Sequence, residues 1–263
     1  MPAKYLAKLK GSRILVFGAT SGIGYAVSEG ALEHGAHVVL TGSKQTKLVD
    51  TTSRLLSNYD DSDNKPSSLI SSHVCDLSNP DAMEANLTAL LEAATNGKKN
   101  KIDHIVFTAG DALPLKPMSE ITPAYIQTAG NVRFIAPLML AKLIPIYMVP
   151  SADSSFTITS GVIGTKPTPG WFITAGYSGA QEGLARGLAV DLAPVRVNCV
   201  SPGSVKTELL AGLPDEAMEY MRQATLTKRL GRPEDLAEVY LYAMKDGFVT
   251  GSVLHSNGGR LLV

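Results

Sequence analysis

A glycine-rich loop early in the chain carries residue types that could bind the phosphates of a dinucleotide. It follows the apolar run Arg13–Phe17, which predicts a buried strand, and precedes residues 25–34, where apolar residues recur at helical spacing. Glycines let the backbone approach a pyrophosphate closely, and a helix N-terminus offers it unpaired N–H groups. An ordinary strand-to-helix loop is the alternative interpretation. The loop residues predicted to contact the cofactor are Gly18, Thr20, Ser21, Gly22, Ile23 and Gly24.

The residues after the second predicted strand bear on the choice of cofactor. Enzymes that prefer NAD usually place an Asp or Glu near this point, where it accepts a hydrogen bond from the ribose 2′-hydroxyl. This chain has Ser43 and Lys44 instead, and a hydroxyl with an ammonium group suits a 2′-phosphate. The sequence therefore predicts NADP(H), with a solvated loop lysine as the alternative.

Strands and helices that could position these residues alternate along all 263 residues. The predicted strands are 13–17, 36–42, 68–74, 102–107, 156–160, 195–203 and a short one between 251 and 257; the main predicted helices are 25–34, 81–95, 125–147 and 182–194. This alternation predicts an α/β fold, a Rossmann-type doubly wound parallel sheet of about seven strands with helices on both faces. We expect a single domain over 1–263, with a cofactor-binding half at about 10–155 and a substrate half at about 156–263.

The composition is that of an ordinary soluble globular protein, with 44% hydrophobic and 18% charged residues. Its formal net charge of zero gives no support for nucleic-acid binding. The most apolar stretch, 135–150, is interrupted by Pro137 and Pro145, so it does not predict a membrane span. No segment resembles a signal peptide, and we expect a cytoplasmic protein in which Cys75 and Cys199 are reduced core thiols. We predict no metal site.

Motifs in a fixed order give the chain a resemblance to the short-chain dehydrogenase/reductase family. Gly-x-x-x-Gly-Ile-Gly, Asp-Leu, Ala-Gly, Glu-Gly-Leu-x-Arg-x-Leu-Ala-x-x-Leu-Ala-Pro, Arg-Val-Asn-x-Val-Ser-Pro-Gly and Thr-Gly…Gly-Gly together span essentially the whole chain. The resemblance implies a nicotinamide cofactor, a small-molecule substrate and a homodimer or homotetramer. It also implies that Asp76 accepts from the adenine amino group, although this residue could instead cap the helix that starts near Asn79.

The same resemblance assigns further residues to the cofactor site. The family usually has Asn where this chain has Thr108, a modest departure in the segment that lines the adenosine ribose. The residues that the resemblance places against the cofactor are Asp76, Leu77, Thr108, Ala109, Gly110, Pro202, Gly203, Val205 and Thr207.

The usual chemistry of this family needs Asn, Ser, Tyr and Lys side chains, and the sequence departs from that set. Counting back without gaps from the Glu-Gly-Leu motif at 182–184, the Tyr position falls on Thr174 and the Lys position on Ser178. If Tyr177 is taken instead, the residue four positions on is Gln181. A threonine hydroxyl is a far weaker acid than a lysine-assisted phenol, so general-acid catalysis, ordinarily worth about 10²–10⁴-fold, is largely lost.

Two other positions of the set have candidates of their own. Ser160, at the end of the fifth predicted strand, is the candidate for the Ser position. The Asn-x-x-Gly pattern of the long helix matches 133–136 best, with Asn131 as the less favoured candidate. A buried guanidinium stays charged and needs an acceptor, so we predict that Arg133 contacts the cofactor ribose or the substrate. An arginine at a subunit interface is the alternative.

A stiff loop at 166–171 contains Trp171, the only tryptophan of the chain. An aromatic face there suits a flat or cationic ligand, and a tryptophan packed beneath the loop is the alternative. The loop and Arg133 resemble a divergent fungal branch of the family, which includes NADPH-dependent reductases and Diels–Alderases of malbrancheamide and paraherquamide (indole alkaloid) biosynthesis. Thr168 stands where that branch has Asp, so the chain departs from the branch at the residue on which Asp-dependent protonation or iminium stabilisation would depend.

Residues 208–227 are a candidate lid over the substrate. If they form a lid, the substrate is bulky and apolar; a helix packed on the core is the alternative. The residues spaced to give the apolar face are Leu209, Leu210, Leu213, Met218 and Met221.

These observations favour a reaction that needs little acid catalysis. Ketone reduction creates an oxyanion, whereas hydride addition to an iminium gives a neutral amine, and a cyclisation needs only that the reacting ends be held together. We expect an NADPH-dependent reductase of an iminium (C=N) or conjugated bond in a bulky, alkaloid-like natural product, with a cyclisation that can be coupled to it. The alternatives are a cofactor-bound cyclase or Diels–Alderase without net redox, a non-catalytic NADP(H)-binding protein and, ranked lowest, carbonyl reduction through Tyr177. The residues assigned to catalysis are Arg133, Ser160, Thr168, Trp171 and Thr174.

Overall fold

A computed structural model describes residues 4–58, 66–111 and 115–263. Seven strands form one sheet in the order β3-β2-β1-β4-β5-β6-β7, and every neighbouring pair is parallel. The strands are β1 (Arg13–Phe17), β2 (His37–Gly42), β3 (Ile70–Val74), β4 (His104–Phe107), β5 (Ser155–Thr159), β6 (Arg196–Pro202) and β7 (Val253–Ser256). The order reverses direction between β1 and β4, and ligands of doubly wound sheets bind at this point, beyond the carboxyl ends of the strands.

Helices cover both faces of the sheet. They are α1 (Gly22–Glu33), α2 (Gln45–Ser57), α3 (Pro80–Ala94), α4 (Pro123–Gly130), α5 (Ala136–Tyr147), α6 (Phe172–Asp191), α7 (Asp215–Gln223) and α8 (Pro233–Lys245). One core cluster joins the sheet to α3, α5 and α6, and a second joins it to α1, α2 and α8. Apolar side chains from both sides leave the inner strands fully buried, as parallel sheets require. The predicted α/β architecture is therefore confirmed.

Some predicted boundaries differ from those observed. The helix predicted at 182–194 begins ten residues earlier, at Phe172, and ends at Asp191. Pro66–Leu69 forms a 3₁₀ turn ahead of β3, and β4 begins at His104 because Ile102 makes only an isolated bridge with Met148. The prolines of 112–123 predict a loop, and the polar residues 57–67 predict another; residues 112–114 and 59–65 of these segments lie outside the described residues.

The long apolar helix predicted at 125–147 is interrupted in its middle. Pro123–Tyr147 is long and apolar enough to cross a membrane by length and composition alone. Half of its most apolar 18 residues are buried inside the protein. Its buried residues belong to the core cluster under the sheet, so it is a core helix. Between α4 and α5 the backbone forms a π turn at Asn131–Ile135, and such turns are frequent at functional sites.

Both cysteines lie in the core. Cys75 and Cys199 are buried and free, in agreement with the prediction of core thiols. Burial raises the pKa of each thiol to about 12, so neither is a ready nucleophile at neutral pH.

Candidate functional site

A cavity of about 870 Å³ lies beyond the carboxyl ends of the strands. The segments that follow β1, β2, β3, β4, β5 and β6 all contribute to its lining. It brings together every residue that the sequence assigned to the cofactor or to catalysis. These are Gly18, Thr20, Ser21, Gly22, Ile23, Gly24, Ser43, Lys44, Asp76, Leu77, Thr108, Ala109, Gly110, Arg133, Ser160, Thr168, Trp171, Thr174, Pro202, Gly203, Val205 and Thr207.

The glycine loop has the conformation that the sequence predicted. Gly18 has φ of +77° and Gly22 has φ of +52°, a region that side chains rarely adopt. A Cβ on Gly18 would lie 2.8 Å from the Ala109 nitrogen, and one on Gly24 would meet the Gly18 carbonyl oxygen. The loop therefore packs directly against the segment after β4 and leaves no room for side chains.

The N-terminus of α1 faces this loop with its amide groups available. Ser21 occupies the N-cap position, and its side chain makes no capping hydrogen bond. The buried hydroxyl of Thr41, in the same cavity, has no protein partner. Free helix N–H groups, a close-packed glycine loop and an unpaired hydroxyl fit a dinucleotide with its pyrophosphate on α1.

Two lysines lie at the β2 end of the cavity. Lys44 precedes α2 and is exposed, and Lys47 on the first turn of that helix also lines the cavity. The Lys47 ammonium is 3.6 Å from a carboxylate oxygen of Glu208. The sequence analysis did not assign Lys47, although its spacing of three residues from Lys44 places both on one side of the first helical turn.

Asp76 follows β3 and does not cap the next helix. Its carboxylate accepts a hydrogen bond from the Ser78 amide at 2.9 Å, and this bond lowers the pKa of Asp76. The N-cap of α3 is Asn79, whose side chain accepts from the Asp81 amide. The alternative that Asp76 caps α3 is therefore wrong, because α3 begins at Pro80 and Asn79, directly before it, is the N-cap.

Arg133 lies in the π turn and reaches into the cavity. Its guanidinium donates to the Asp111 carbonyl oxygen and packs against Gly110, where a Cβ would lie 2.8 Å from Nη1. The Nε atom is buried without a protein partner. Desolvation lowers the pKa of Arg133, and the nearby Asp111 charge partly offsets this shift. Asn131, the less favoured candidate, does not line the cavity and donates to the Ser78 carbonyl at 3.4 Å.

Thr174 and Ser178 lie one turn apart on the inner side of α6. Both are buried and line the cavity, and the Thr174 hydroxyl has no protein partner. Tyr177 also lines the cavity, but its hydroxyl donates to the Ile126 carbonyl at 2.8 Å. Burial raises the pKa of Tyr177, so its proton is engaged and weakly acidic. Gln181 donates to the Arg133 carbonyl at 2.7 Å and supports the π turn from α6.

Ser160 follows β5, which ends at Thr159. Its hydroxyl lies 3.3 Å from a carboxylate oxygen of Glu182 and 3.5 Å from the Val200 carbonyl. Both separations are long for hydrogen bonds of a hydroxyl. The side chain can therefore turn toward the cavity that it lines.

The loop after β5 brings Trp171 and Thr168 to the cavity. The Trp171 amide donates to the Thr168 carbonyl at 3.1 Å, and Gly170 between them has φ of +81°. Trp171 is half-buried at the N-cap of α6, so its indole borders the cavity and is not enclosed in the core. Lys166 of the same loop also lines the cavity; it was not among the predicted site residues, although it belongs to the loop predicted at 166–171.

The segment predicted to be a lid covers the β6 side of the cavity. Four of its five predicted apolar residues line the cavity, and Met218 does not. No residue of α7 is buried, so this helix does not pack on the core, whereas Leu210 ahead of it is buried. Tyr220, Ala217 and Ala224 of this segment also line the cavity, as does Arg260 from a 3₁₀ turn at Arg260–Leu262, for which the sequence offered no signal. The four lid residues are Leu209, Leu210, Leu213 and Met221.

Among the residues that the structure describes, no group of three His, Cys, Asp or Glu side chains is placed to hold a metal ion.

The parallel sheet with its glycine loop and cavity defines the class of protein. Residues 5–263 match the family described as SDR-like Rossmann domain. The chain therefore belongs to the short-chain dehydrogenase/reductase family, whose fold binds a nicotinamide cofactor, and it is an oxidoreductase of that type.

Two fungal proteins of this family are similar to the chain over almost its whole length. The chain is 43% identical over 258 residues to the short-chain dehydrogenase/reductase malC of Malbranchea aurantiaca, covering 97% of this chain and 96% of that protein. It is 38% identical over 265 residues to the short-chain dehydrogenase/reductase fsr5 of Gibberella fujikuroi, covering 98% of each. The solved structure of the MalC reductase/Diels-Alderase from Malbranchea aurantiaca matches with a TM-score of 0.91, over 98% of this chain and 100% of that chain. The predicted resemblance to a fungal reductase/Diels–Alderase is confirmed.

Proposed function

We propose that this protein is an NADPH-dependent reductase of an iminium (C=N) or conjugated bond in a bulky, alkaloid-like natural product. Reduction can be coupled to a cyclisation or cycloaddition of the product. The observation that carries the proposal is one cavity that joins a dinucleotide cradle to Thr174 and Ser178, the residues that the sequence count assigns to the family's Tyr and Lys positions. The relation to a reductase/Diels-Alderase supports the same reading.

The cofactor proposal depends on the residues around the cavity. The glycine loop and the N-terminus of α1 would bind the pyrophosphate of NADP(H). The 2′-phosphate would be bound by Ser43, Lys44 and Lys47, and the adenine by Asp76. When bound, NADPH supplies the hydride.

The chain's own residues would position the acceptor and exclude water. Trp171 and the apolar lid residues border one cavity with the cofactor cradle, and an apolar pocket there would hold the acceptor in a near-attack arrangement. Arg133 would bind the ribose or a substrate oxygen through its unpaired Nε. Thr174 and Ser160 would offer hydroxyls to a polar atom of the substrate, and the Tyr177 proton, held by Ile126, would not take part.

The oligomeric state, the location in the cell and the binding partners of the protein are also proposals. We propose a homodimer or homotetramer in the cytoplasm, acting on a small molecule and on neither nucleic acid nor membrane. The homo-oligomer rests on family membership.

One experiment separates the proposed reductase from its alternatives. The purified protein is incubated with NADPH and with iminium, conjugated and plain ketone substrates, while cofactor oxidation and product mass are followed. Oxidation with iminium or conjugated substrates and not with ketones supports the proposal. Product formation without NADPH oxidation supports a cofactor-bound cyclase or Diels–Alderase. Cofactor binding without turnover of any substrate leaves a non-catalytic NADP(H)-binding protein.

The preference for NADPH is tested on Lys44. We expect Lys44→Ala to weaken NADPH binding about tenfold and to leave NADH binding unchanged, since a charged hydrogen bond contributes ~1.5–3 kcal/mol. Lys99→Ala, in the exposed basic turn outside the cavity, is the matched control. Unchanged binding of both cofactors would show that Lys44 is a solvated loop lysine, and equal losses for both would contradict a contact with the 2′-phosphate.

A further inference from the structure

The charged residues of the cavity are unevenly distributed. Lys44 and Lys47 line its β2 side, and Arg133 lies near the Asp111 carboxylate in its middle. The carboxylates that line the cavity in the described chain are Asp76 and Asp111, which follow β3 and β4. The segments after β5 and β6 contribute none, although they carry the loop and lid assigned to the substrate.

Lys166 is the cation of this substrate part. It stands after the 3₁₀ turn Val162–Gly164, its amide donating to the Val162 carbonyl at 2.9 Å. Its side chain is half-buried and lines the cavity, and within the described residues no ion pair involves it. A partly buried lysine without a carboxylate partner favours the binding of an anion beside its ammonium group.

The cofactor phosphates do not account for Lys166. The strands β2 and β5 are separated by β1 and β4 in the sheet, which amounts to three strand spacings, or about 14 Å. The 2′-phosphate end of the site follows β2 and the pyrophosphate cradle follows β1, whereas Lys166 shares its loop with Thr168 and Trp171.

Arg260, near the last residues of the sequence, adds a second cation to the lining of the cavity. It lines the cavity from the turn Arg260–Leu262, and one of its guanidinium nitrogens donates to the Val263 oxygen at 3.3 Å. Trp171 and the lid supply apolar lining to the same cavity, so the substrate part combines positive charge with apolar surface.

We propose that the substrate is an organic anion, a bulky ring system with a carboxylate or an acidic enol, and that Lys166 binds this group with Arg260 assisting. This inference rests on the proposed function and narrows its substrate class. Thr168 fits it, because an Asp at that position would place a negative charge in the same loop as Lys166. The reacting bond is then the conjugated one, or an iminium in a molecule that carries the anionic group elsewhere.

The test uses two matched aromatic probes and the fluorescence of Trp171. Because Trp171 is the only tryptophan and lines the cavity, energy transfer from it to anthracene-2-carboxylate or to the neutral anthracene-2-carboxamide reports binding at this site. The full-length protein is loaded with NADP⁺, which does not absorb in the range of the transfer. We expect the carboxylate to bind at least tenfold more tightly than the carboxamide.

Substitutions of Lys166 and Arg260 test whether these two residues cause the preference for the carboxylate probe. We expect Lys166→Met to reduce the preference at least fivefold, Lys166→Arg to retain it, and Lys166→Met combined with Arg260→Met to abolish it. Lys99→Met, outside the cavity, is the control and should bind both probes as the unmodified protein does. Retained NADP⁺ binding shows that each variant is folded.

The outcomes separate this proposal from the proposed function. Equal binding of the two probes, a preference that survives the double variant, or no energy transfer with either probe would overturn the anion site. Any of these results together with NADPH oxidation by neutral conjugated substrates leaves the reductase proposal standing. A carboxylate preference that depends on Lys166, without NADPH oxidation by any substrate, would retain the anion site and reject the reductase.

Discussion

Arg133 is held in position by contacts with three neighbouring residues, and one nitrogen of its guanidinium still lacks a hydrogen-bond partner. Its guanidinium is held by the Asp111 carbonyl and Gly110, its backbone carbonyl by Gln181, and its Nε remains buried and unpaired. An unpaired buried N–H is destabilising by ~1–3 kcal/mol unless a ligand supplies the acceptor. This argues for a role toward cofactor or substrate and against the predicted alternative of an interface arginine.

We expect Arg133→Met to lower kcat/KM for the preferred substrate by about 10–100-fold, because a charged hydrogen bond worth ~1.5–3 kcal/mol is lost. Arg133→Lys should recover little, since an ammonium cannot reproduce the planar fork of donors. Steady-state kinetics with cofactor titrations provide the measurement. Unchanged kinetics in Arg133→Met would place the functional contact elsewhere, with Arg186→Met, an exposed arginine outside the cavity, as the control.

Thr168 offers a direct test of how charge selects the acceptor. We expect Thr168→Asp to raise the rate with a cationic iminium relative to a neutral conjugated ketone by about tenfold, because a carboxylate near the reacting centre stabilises a cation. Thr168→Asn has a similar shape without the charge and should leave the ratio unchanged. Competition between the two substrates, with products quantified by mass, gives the ratio. A shift of equal size in both variants would indicate a steric cause.

At the scale of elements, the π turn is the feature that the sequence could not predict. The periodicity of 125–147 correctly indicates a long helix, but a π turn depends on contacts made from outside that helix. Here Gln181 of α6 donates to the Arg133 carbonyl, and Tyr177 donates to the Ile126 carbonyl. The prediction also missed the first ten residues of α6. Its first turns carry Thr174 and Ser178 and so do not show a simple apolar repeat.

We expect Gln181→Met to lower the free energy of unfolding by about 1–3 kcal/mol, because the Arg133 carbonyl loses its donor inside the protein. The same variant should lower kcat more than it changes NADPH affinity, since the π turn positions Arg133. Urea titration and steady-state kinetics measure the two effects. Gln223→Met, on the exposed α7, is the matched control. A stability loss without any kinetic effect would make Gln181 purely structural.

For the whole molecule, the sequence predicted the architecture well because parallel strands are buried on both faces and read as apolar runs. All seven strands were placed within a few residues. The residues that the glycine loop and the family resemblance assigned to the cofactor line one cavity, since the carboxyl ends of parallel strands share one edge. Lys166 and Arg260 could not be assigned in the same way, because they reach the cavity from a loop and from a turn whose positions depend on tertiary packing.

His104 links the stability of this sheet to pH. It lies in β4, is 3% exposed, and its Nδ1 is 2.9 Å from the Ser155 hydroxyl. Burial, aided by the charge of Arg196, lowers the pKa of His104 to about 3. Between pH 6.5 and 3 the unfolded chain therefore binds a proton at this residue that the folded protein does not bind, so stability falls as the pH falls.

We expect the free energy of unfolding to decrease between pH 6 and 4.5, with His104 contributing about 1 kcal/mol per pH unit. Burial also lowers the pKa of His73, so that residue adds to the slope in the same direction. Urea titrations at several pH values should show a slope smaller by about one proton in His104→Gln, while His255→Gln, at an exposed position in β7, should keep it. The range lies above the pH at which most carboxylates titrate, so the missing proton reports on the histidine. An identical slope in His104→Gln and the unmodified protein would mean that the imidazole is protonated in the folded state, and that water or a ligand reaches β4 through the core.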